Sequence, residues 1–315
     1  MDASVDSSPP GLAEQSDVFM EDVIIGLAQS QPEIPCKYLY DERGSELFEA
    51  IGKTQEYYVT RADLALHRQH ADAIAQRIGQ SAHIIEFGSG AGIKIRLLLG
   101  AAIQPRAYTP IEISPQALES SVNALQQAFP SLDIQPVIAD YTQDIPDHIL
   151  DLEPPARRRV IYFPGSTISN FSRRQAIDFL HRMQRMVGPS GGLLIGVDLI
   201  KPTAVLEAAY NDAEGVTAQF NLNLLERLRT ELGASVERAD FKHEARFNQA
   251  QSRIEMHLIA LKPTVIELGQ ARFEFNTGDS IHTENSYKYS IESFAELAVQ
   301  IAYPPFEPVH ENTRV

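Results

Sequence analysis

The chain has 315 residues, 43% of them hydrophobic, enough to bury one large core or two smaller ones. Its formal charge of -15, from 42 acidic against 27 basic residues, excludes a surface made to follow a phosphate backbone, which needs clustered lysine and arginine. A lone cysteine, Cys36, excludes a disulfide framework or thiolate metal site, and with no membrane-length apolar run or basic leader the expectation is a cytoplasmic protein without nucleic-acid or membrane partners.

Residues 1–16, small, polar and proline-containing, read as a flexible tail. A short amphipathic helix follows over 18–28. Residues 37–61 hold a dense group of tyrosines, with an apolar-periodic helix starting at Ser45 and Tyr57-Tyr58 lying beyond it. Tyrosines in a row usually pack, yet their place ahead of the next unit also suits a lid. Residues 62–78 then form a helix by pattern.

The run His83-Ile84-Ile85-Glu86-Phe87 is short and β-branched like a buried strand, and it breaks at Gly88-Ser89-Gly90-Ala91-Gly92 before a helical pattern over 93–99. A second apolar run, 107–113, carries Glu112 near its end. A carboxylate there can accept hydrogen bonds from both ribose hydroxyls of a nucleoside held above the glycine turn. The dinucleotide fingerprint G-x-G-x-x-G is not met, because Ile93 stands where the third glycine belongs. Acids on both sides of the turn, Glu86 and Glu112, suit a cationic sulfonium better than a pyrophosphate. The turn reads as a site for S-adenosylmethionine, the alternative being an ordinary tight strand-to-helix connection.

Beyond Glu112 the alternation continues as a Rossmann-like α/β domain should. A helix is expected over 115–129 and a strand over 134–139 ending at Asp140-Tyr141. A further strand follows over 160–163, with Arg157-Arg158-Arg159 as its solvated start. Asp140 can bind an adenine amino group with Tyr141 against the ring, or simply cap the next turn. Residues 165–170 form a loop at a strand's carboxyl end, Ser172 caps a helix reaching Met186, and 191–200 is a buried strand.

From Lys201 the pattern changes. Helices over 203–210 and 216–232 precede strands over 241–247, 254–261, 265–268 and 273–275. Such a meander does not belong to a doubly wound sheet, so a second, α+β domain is expected on the substrate side. The division drawn is 62–199, completed by 287–315, for the Rossmann-like core, and 17–61 with 200–286 for substrate binding.

The segments KYLYDERGSELFEAI, EYYVTR, EFGSGAGIKIRLLL, GSTISNF, DLIKPTAVLEAAYNDAEGVTAQFNLNLL, IEMHL and HTENSYKYS together resemble the histidine Nα-methyltransferases of ergothioneine biosynthesis, over residues 35–297. The family has fungal relatives that methylate a prenylated tryptophan, so residues in the pocket must decide the substrate. The resemblance implies a metal-free enzyme that trimethylates the α-amine of L-histidine with S-adenosylmethionine, giving hercynine. The alternatives are another amino acid or a tryptophan-derived amine, and a non-catalytic cofactor-binding relative.

Carried over by position, the cofactor is expected at Tyr40, Gly88, Lys94, Glu112, Asp140 and Tyr141, with Gly90 shaping the turn. The family more often has Asp at Glu112 and Phe at Tyr141, replacements that keep a carboxylate and an aromatic face. For substrate, Asn170 and Tyr210 match positions that hold the α-carboxylate. Tyr57 matches the catalytic position beside the α-amine, and Met256, Glu284 and Ser286 those around the imidazole. An ionised Glu284 accepting a ring N–H, with Ser286 at the other edge, would reject ligands that leave these groups unpaired. Without the resemblance, Glu284 reads as a solvated loop acid.

Chain-end residues 301–315 show no apolar run for the closing strand this fold normally carries. The expectation is a monomer with an open sheet edge, prone to association and of low melting temperature.

Overall fold

The computed structural model describes residues 12–300 apart from 91 and 144. The chain divides into two compact units, Met1–Tyr58 with Ile200–Lys288, and Val59–Leu199 with Tyr289–Val315. In the first unit, helix α1 spans Leu12–Leu27 and helix α2 spans Glu42–Ile51. Helix α1 begins inside the span read as a flexible tail. Residues 12–16 are Leu, Ala, Glu, Gln and Ser, mostly strong helix formers, and they extend the amphipathic segment instead of ending it. Residues 1–11 lie outside the described part. Asp41 caps α2 by accepting the Gly44 N–H at 2.8 Å, which starts the helix ahead of Ser45.

The second unit opens with α3, Val59–Ile78, followed by β1, Ala82–Phe87. Then come α4, Ile93–Ala101, β2, Ala107–Glu112, and α5, Pro115–Ala128. Strands β3, Val137–Ile138, and β4, Arg158–Phe163, precede α6, Arg173–Val187, and β5, Gly192–Ile195. The five strands form one parallel sheet in the order β3-β2-β1-β4-β5, a Rossmann-like arrangement. Every residue of β1 is buried, as expected of a central parallel strand covered on both faces. Ile84, Ile95, Leu98, Tyr108, Leu125 and Val160 fill one side of it, each burial worth about 1.5–3 kcal/mol. The expected cap at Ser172 is a full capping box with Gln175.

Three departures from the sequence reading have local causes. Strand β3 is shorter than 134–139, because Pro136 has no N–H to give the ladder and Ile134 makes only an isolated bridge to Tyr108. Strand β5 ends at Ile195, and beyond it the Asp198 N–H leaves the sheet for Ser166 Oγ at 2.8 Å. Arg158 and Arg159 lie within β4 and are only partly exposed. Arg158 donates to the carbonyls of Arg77 and Gly191, and Arg159 to those of Met186 and Leu150 and to Asp151, so they tie the ends of neighbouring elements to β4 and are not a solvated strand start.

The first unit resumes with α7, Thr203–Tyr210, and α8, Val216–Glu231. Strands β6, Phe241–Asn248, β7, Arg253–Ala260, β8, Thr264–Leu268, β9, Ala271–Phe275, and β10, Ser280–Tyr287, follow. The antiparallel sheet runs β10-β7-β6, and β8-β9 is a separate hairpin. Phe220, Leu224 and Leu228 make the buried stripe of α8, which packs on β6 and β7. Strand β10 was not expected from the sequence: His282-Thr283-Glu284-Asn285-Ser286 has no apolar alternation, and a register shift between His282 and Glu284 interrupts its pairing. Helix α9, Ile291–Gln300, belongs to the second unit, beside α6. The expectation of an open sheet edge rests on residues 301–315, which lie outside the described part.

Candidate functional site

In the second unit the chain leaves β1 through Gly88, Gly90 and Gly92 at φ of 67°, 47° and 67° before α4 begins. A Cβ on Gly88 would meet Tyr141 Cε1 at 3.4 Å, an ordinary contact, but in a left-handed backbone region, so it is the conformation that favours glycine there. The Gly90 N–H donates to Glu112 Oε2 at 3.1 Å, while Glu112 Oε1 accepts from the N–H groups of Ile113 at 2.9 Å and Ser114 at 3.2 Å. Glu112 is thereby fixed at the end of β2, beside the turn. The strand order changes direction between β1 and β4, and open sheets of this kind take ligands at the carboxyl ends of the strands at that point.

Tyr141 lies edge-on to Phe87, Phe163 and Phe179 at centroid distances of 6.0, 5.7 and 6.1 Å. A cavity of about 300 Å³, lined by Phe87, Tyr141, Gln143, Ile145, Pro146 and Arg182 among others, opens beside it. Asp140 Oδ1 accepts from the Thr142 N–H at 2.8 Å and the Thr142 hydroxyl at 2.6 Å, the turn-capping role that the sequence left open. Asn170 ends the short helical turn Thr167–Asn170 beyond β4.

Lys94, in the first turn of α4, places its ammonium 2.8 Å from Asp63 Oδ2, which also accepts the Gly165 N–H at 3.0 Å. Burial acts to raise the Asp63 carboxyl, but the hydrogen bond from His67 and the charge of Lys94 outweigh it and hold the group at about 2. His67 Nε2 in turn meets the Tyr162 hydroxyl at 2.6 Å. Asp63 was not singled out in the sequence, where the Asp63/His67 spacing of four on a helix was the available signal. Ser89, within the glycine turn, has a buried hydroxyl without a hydrogen-bond partner among the described residues. Behind the turn, Glu86 is pushed up to about 8 by burial, against the hydrogen bond it accepts from Tyr108 and the charge of Lys94.

The remaining residues assemble in the first unit. Glu284 stands opposite Met256 across β10 and β7, and Ser286 opposite Ile254. Glu284, Ser286, Met256, Tyr210 and Tyr57 are each 7% exposed or less. The Tyr210 hydroxyl is 2.7 Å from Ser286 Oγ, and the Tyr57 ring lies edge-on to that of Tyr210 at 5.7 Å. Burial raises the Glu284 carboxyl to about 7, opposed by a hydrogen bond from Tyr40 and by the charge of Lys288. Tyr40, expected at the cofactor, thus joins the residues expected around the imidazole through a 3.3 Å bond to Glu284. Its ring meets Phe48 and Phe220 edge-on. Lys288, which the sequence reading passed over, is 3% exposed and donates to Ser286 Oγ at 2.9 Å and to the Tyr210 hydroxyl at 3.1 Å. Among the described residues, no group of three or more His, Cys, Asp or Glu is placed to hold a metal, and no helix is long and apolar enough to cross a membrane.

A family model described as histidine-specific methyltransferase, SAM-dependent, matches residues 19–307. The chain is 35% identical over 283 residues to the histidine N-alpha-methyltransferase of Mycobacterium tuberculosis (strain CDC 1551 / Oshkosh), covering 88% of this chain and 86% of that one. It is 34% identical over 289 residues to the protein of the same description in Mycolicibacterium smegmatis, covering 90% and 88%. A 4-dimethylallyltryptophan N-methyltransferase of Aspergillus fumigatus is 25% identical over 252 residues, 76% of this chain and 74% of that one.

Proposed function

The chain belongs to the family of histidine-specific, S-adenosylmethionine-dependent methyltransferases, and from that premise we propose that it trimethylates the α-amino group of L-histidine to hercynine, a step of ergothioneine biosynthesis. The observation that carries the substrate is the buried polar face of β10. Glu284 and Ser286 are alternate residues on one strand face, with Cα atoms about 6.5–7 Å apart. A carboxylate acceptor and a hydroxyl on the same face suit the two nitrogens of an imidazole. An indole offers one N–H and no ring acceptor, so it could use Glu284 but would have no second polar atom to set toward Ser286, which disfavours the substrate that the Aspergillus relative's name states.

The glycine turn fits the cofactor: a partnerless Ser89 hydroxyl and three glycines at positive φ at the carboxyl end of β1 support a ligand close to the backbone there. S-adenosylmethionine, when bound, supplies an electrophilic methyl group on a sulfonium. In this reading Glu112 accepts the ribose hydroxyls, Asp140 the adenine amino group, and Tyr141 flanks the ring. Gly88, Gly90 and Lys94 receive the amino-acid end, with Asp63 holding the Lys94 ammonium in place. Tyr40 steadies Glu284 through its hydroxyl.

For transfer the enzyme must present a neutral amine, hold it in line and exclude water. An amino acid's amine is mostly protonated near neutral pH. Tyr57 orients the amine, and the proton leaves to water. As methyl groups accumulate, the Tyr57 ring faces a permanent cation, an attraction of about 0.5 to 2 kcal/mol. Asn170 and Tyr210 hold the α-carboxylate, and Met256 closes the ring pocket.

Isothermal titration of histidine and of tryptophan into the protein saturated with S-adenosylhomocysteine tests the reading. Histidine should bind at least tenfold more tightly. Equal affinities would remove the specificity assigned to Glu284, and no binding of either would point to a non-catalytic relative or another amine.

A further inference from the structure

The amino ends of β1 and β4 lie at the opposite end of the parallel sheet from the glycine turn, about 15–20 Å away along the six residues of β1. A cavity of about 420 Å³ opens there, and four arginines line it: Arg157, Arg158, Arg159 and Arg185. Asp151 and Glu153 are the acids of its wall, so four guanidinium charges against two carboxylates leave two positive charges, in a chain whose formal charge is -15.

The arginines are held in two ways. Arg158 and Arg159, half-buried, give their N–H groups to backbone carbonyls, among them that of Met186 in the last turn of α6, and to Asp151 at 2.6 Å. They thereby cover groups that would otherwise repel an anion. Arg157 and Arg185 are exposed, and among the described residues their guanidinium groups have no carboxylate partner. At the base of the cavity His83 is fully buried, its Nε2 2.7 Å from the Thr109 hydroxyl. Its Nδ1, like Arg158 Nε, is buried without a partner among the described residues, so polar groups reach from the rim to the base.

We propose that this cavity is a second ligand site, distinct from the glycine turn, for a small molecule that carries a phosphate group. A guanidinium presents paired N–H donors that match two oxygens of a phosphate. Arg157 and Arg185 supply the charge for a dianion, and the pinned Arg158 and Arg159 add their field without having to move. Leu152 and Pro155 give an apolar wall to an organic part of the ligand, and the volume is in the range of small-molecule sites. A nucleic acid fits less well, because four arginines around one cavity make no track for a phosphate backbone on so acidic a chain.

Titration calorimetry of inorganic pyrophosphate into the full chain, alone and saturated with S-adenosylhomocysteine, tests the assignment. The wild type should bind one equivalent, saturably and equally in both states. Arg157→Glu should weaken that binding at least tenfold and leave S-adenosylhomocysteine affinity unchanged. Arg174→Glu, at the exposed start of α6, should alter neither. Displacement of pyrophosphate by S-adenosylhomocysteine would put it at the glycine turn and overturn the assignment without recourse to a variant. Absence of saturable binding would overturn it too, and so would equal weakening by the two variants, which would reduce the effect to general surface charge.

Discussion

The Tyr40 hydroxyl is 3.3 Å from Oε1 of Glu284, a carboxyl that burial lifts to about 7. Within that environment the Tyr40 bond and the charge of Lys288 are the influences that favour the ionised form. Tyr40→Phe removes one of them, so Glu284 should titrate at higher pH and be less ionised at pH 7. Histidine binding at pH 7 should weaken several-fold and recover in part by pH 8.5, as read by titration calorimetry. A loss that is independent of pH would show that Tyr40 acts by packing against Phe48 and Phe220 alone.

Glu284→Leu deletes the acceptor outright. A charge-assisted hydrogen bond is worth about 1.5–3 kcal/mol, so histidine affinity should fall by about ten- to 150-fold. S-adenosylhomocysteine affinity should barely change. If both ligands were weakened equally, Glu284 would be a structural acid and the ring pocket would lie elsewhere.

Gly88→Ala places a Cβ in the left-handed region, at a cost of about 1–2 kcal/mol, and against Tyr141. Cofactor affinity should drop at least tenfold with a modest fall in melting temperature. Unaltered S-adenosylhomocysteine binding would argue that the ligand does not approach this turn.

Glu86 gives a pH dependence of stability. Its folded value of about 8 stands above its ordinary 4.5 because of burial, so the folded protein holds the proton more tightly. That stabilisation is complete below about 4.5 and is lost as pH rises towards 8. His83 and His257, lowered to about 4 by burial, act the other way, but only as pH falls below about 6.5. Between pH 6.5 and 8 the wild type should therefore lose stability, by up to about 1.4 kcal/mol per pH unit for this one group. Glu86→Gln, which can still accept from Tyr108, should flatten the decline in urea or thermal unfolding. An equally steep decline in the variant would mean that Glu86 is not the group titrating.

The parallel sheet was legible because buried strands such as β1 read as short, largely apolar, β-branched runs and the glycine turn punctuates them. Strand β10 was not, since Glu284 and Ser286 are polar though buried, and a strand that buries such residues, with Lys288 just beyond it, looks like a loop in sequence. Its importance came through resemblance to a family, and Lys288 was overlooked because its meaning depends on Tyr210, 78 positions away. Asp140 shows the opposite limit: the capping geometry is visible in the structure, and its place at a strand end was readable, but spacing alone could not rank the two roles.

The most direct measurement is mass spectrometry of the purified protein incubated with histidine and S-adenosylmethionine. The account predicts mono-, di- and trimethylated histidine, with the methyl groups on the α-nitrogen and hercynine as the end product. A folded sample at saturating cofactor that leaves histidine unmodified, or that places methyl groups on the ring, would contradict it.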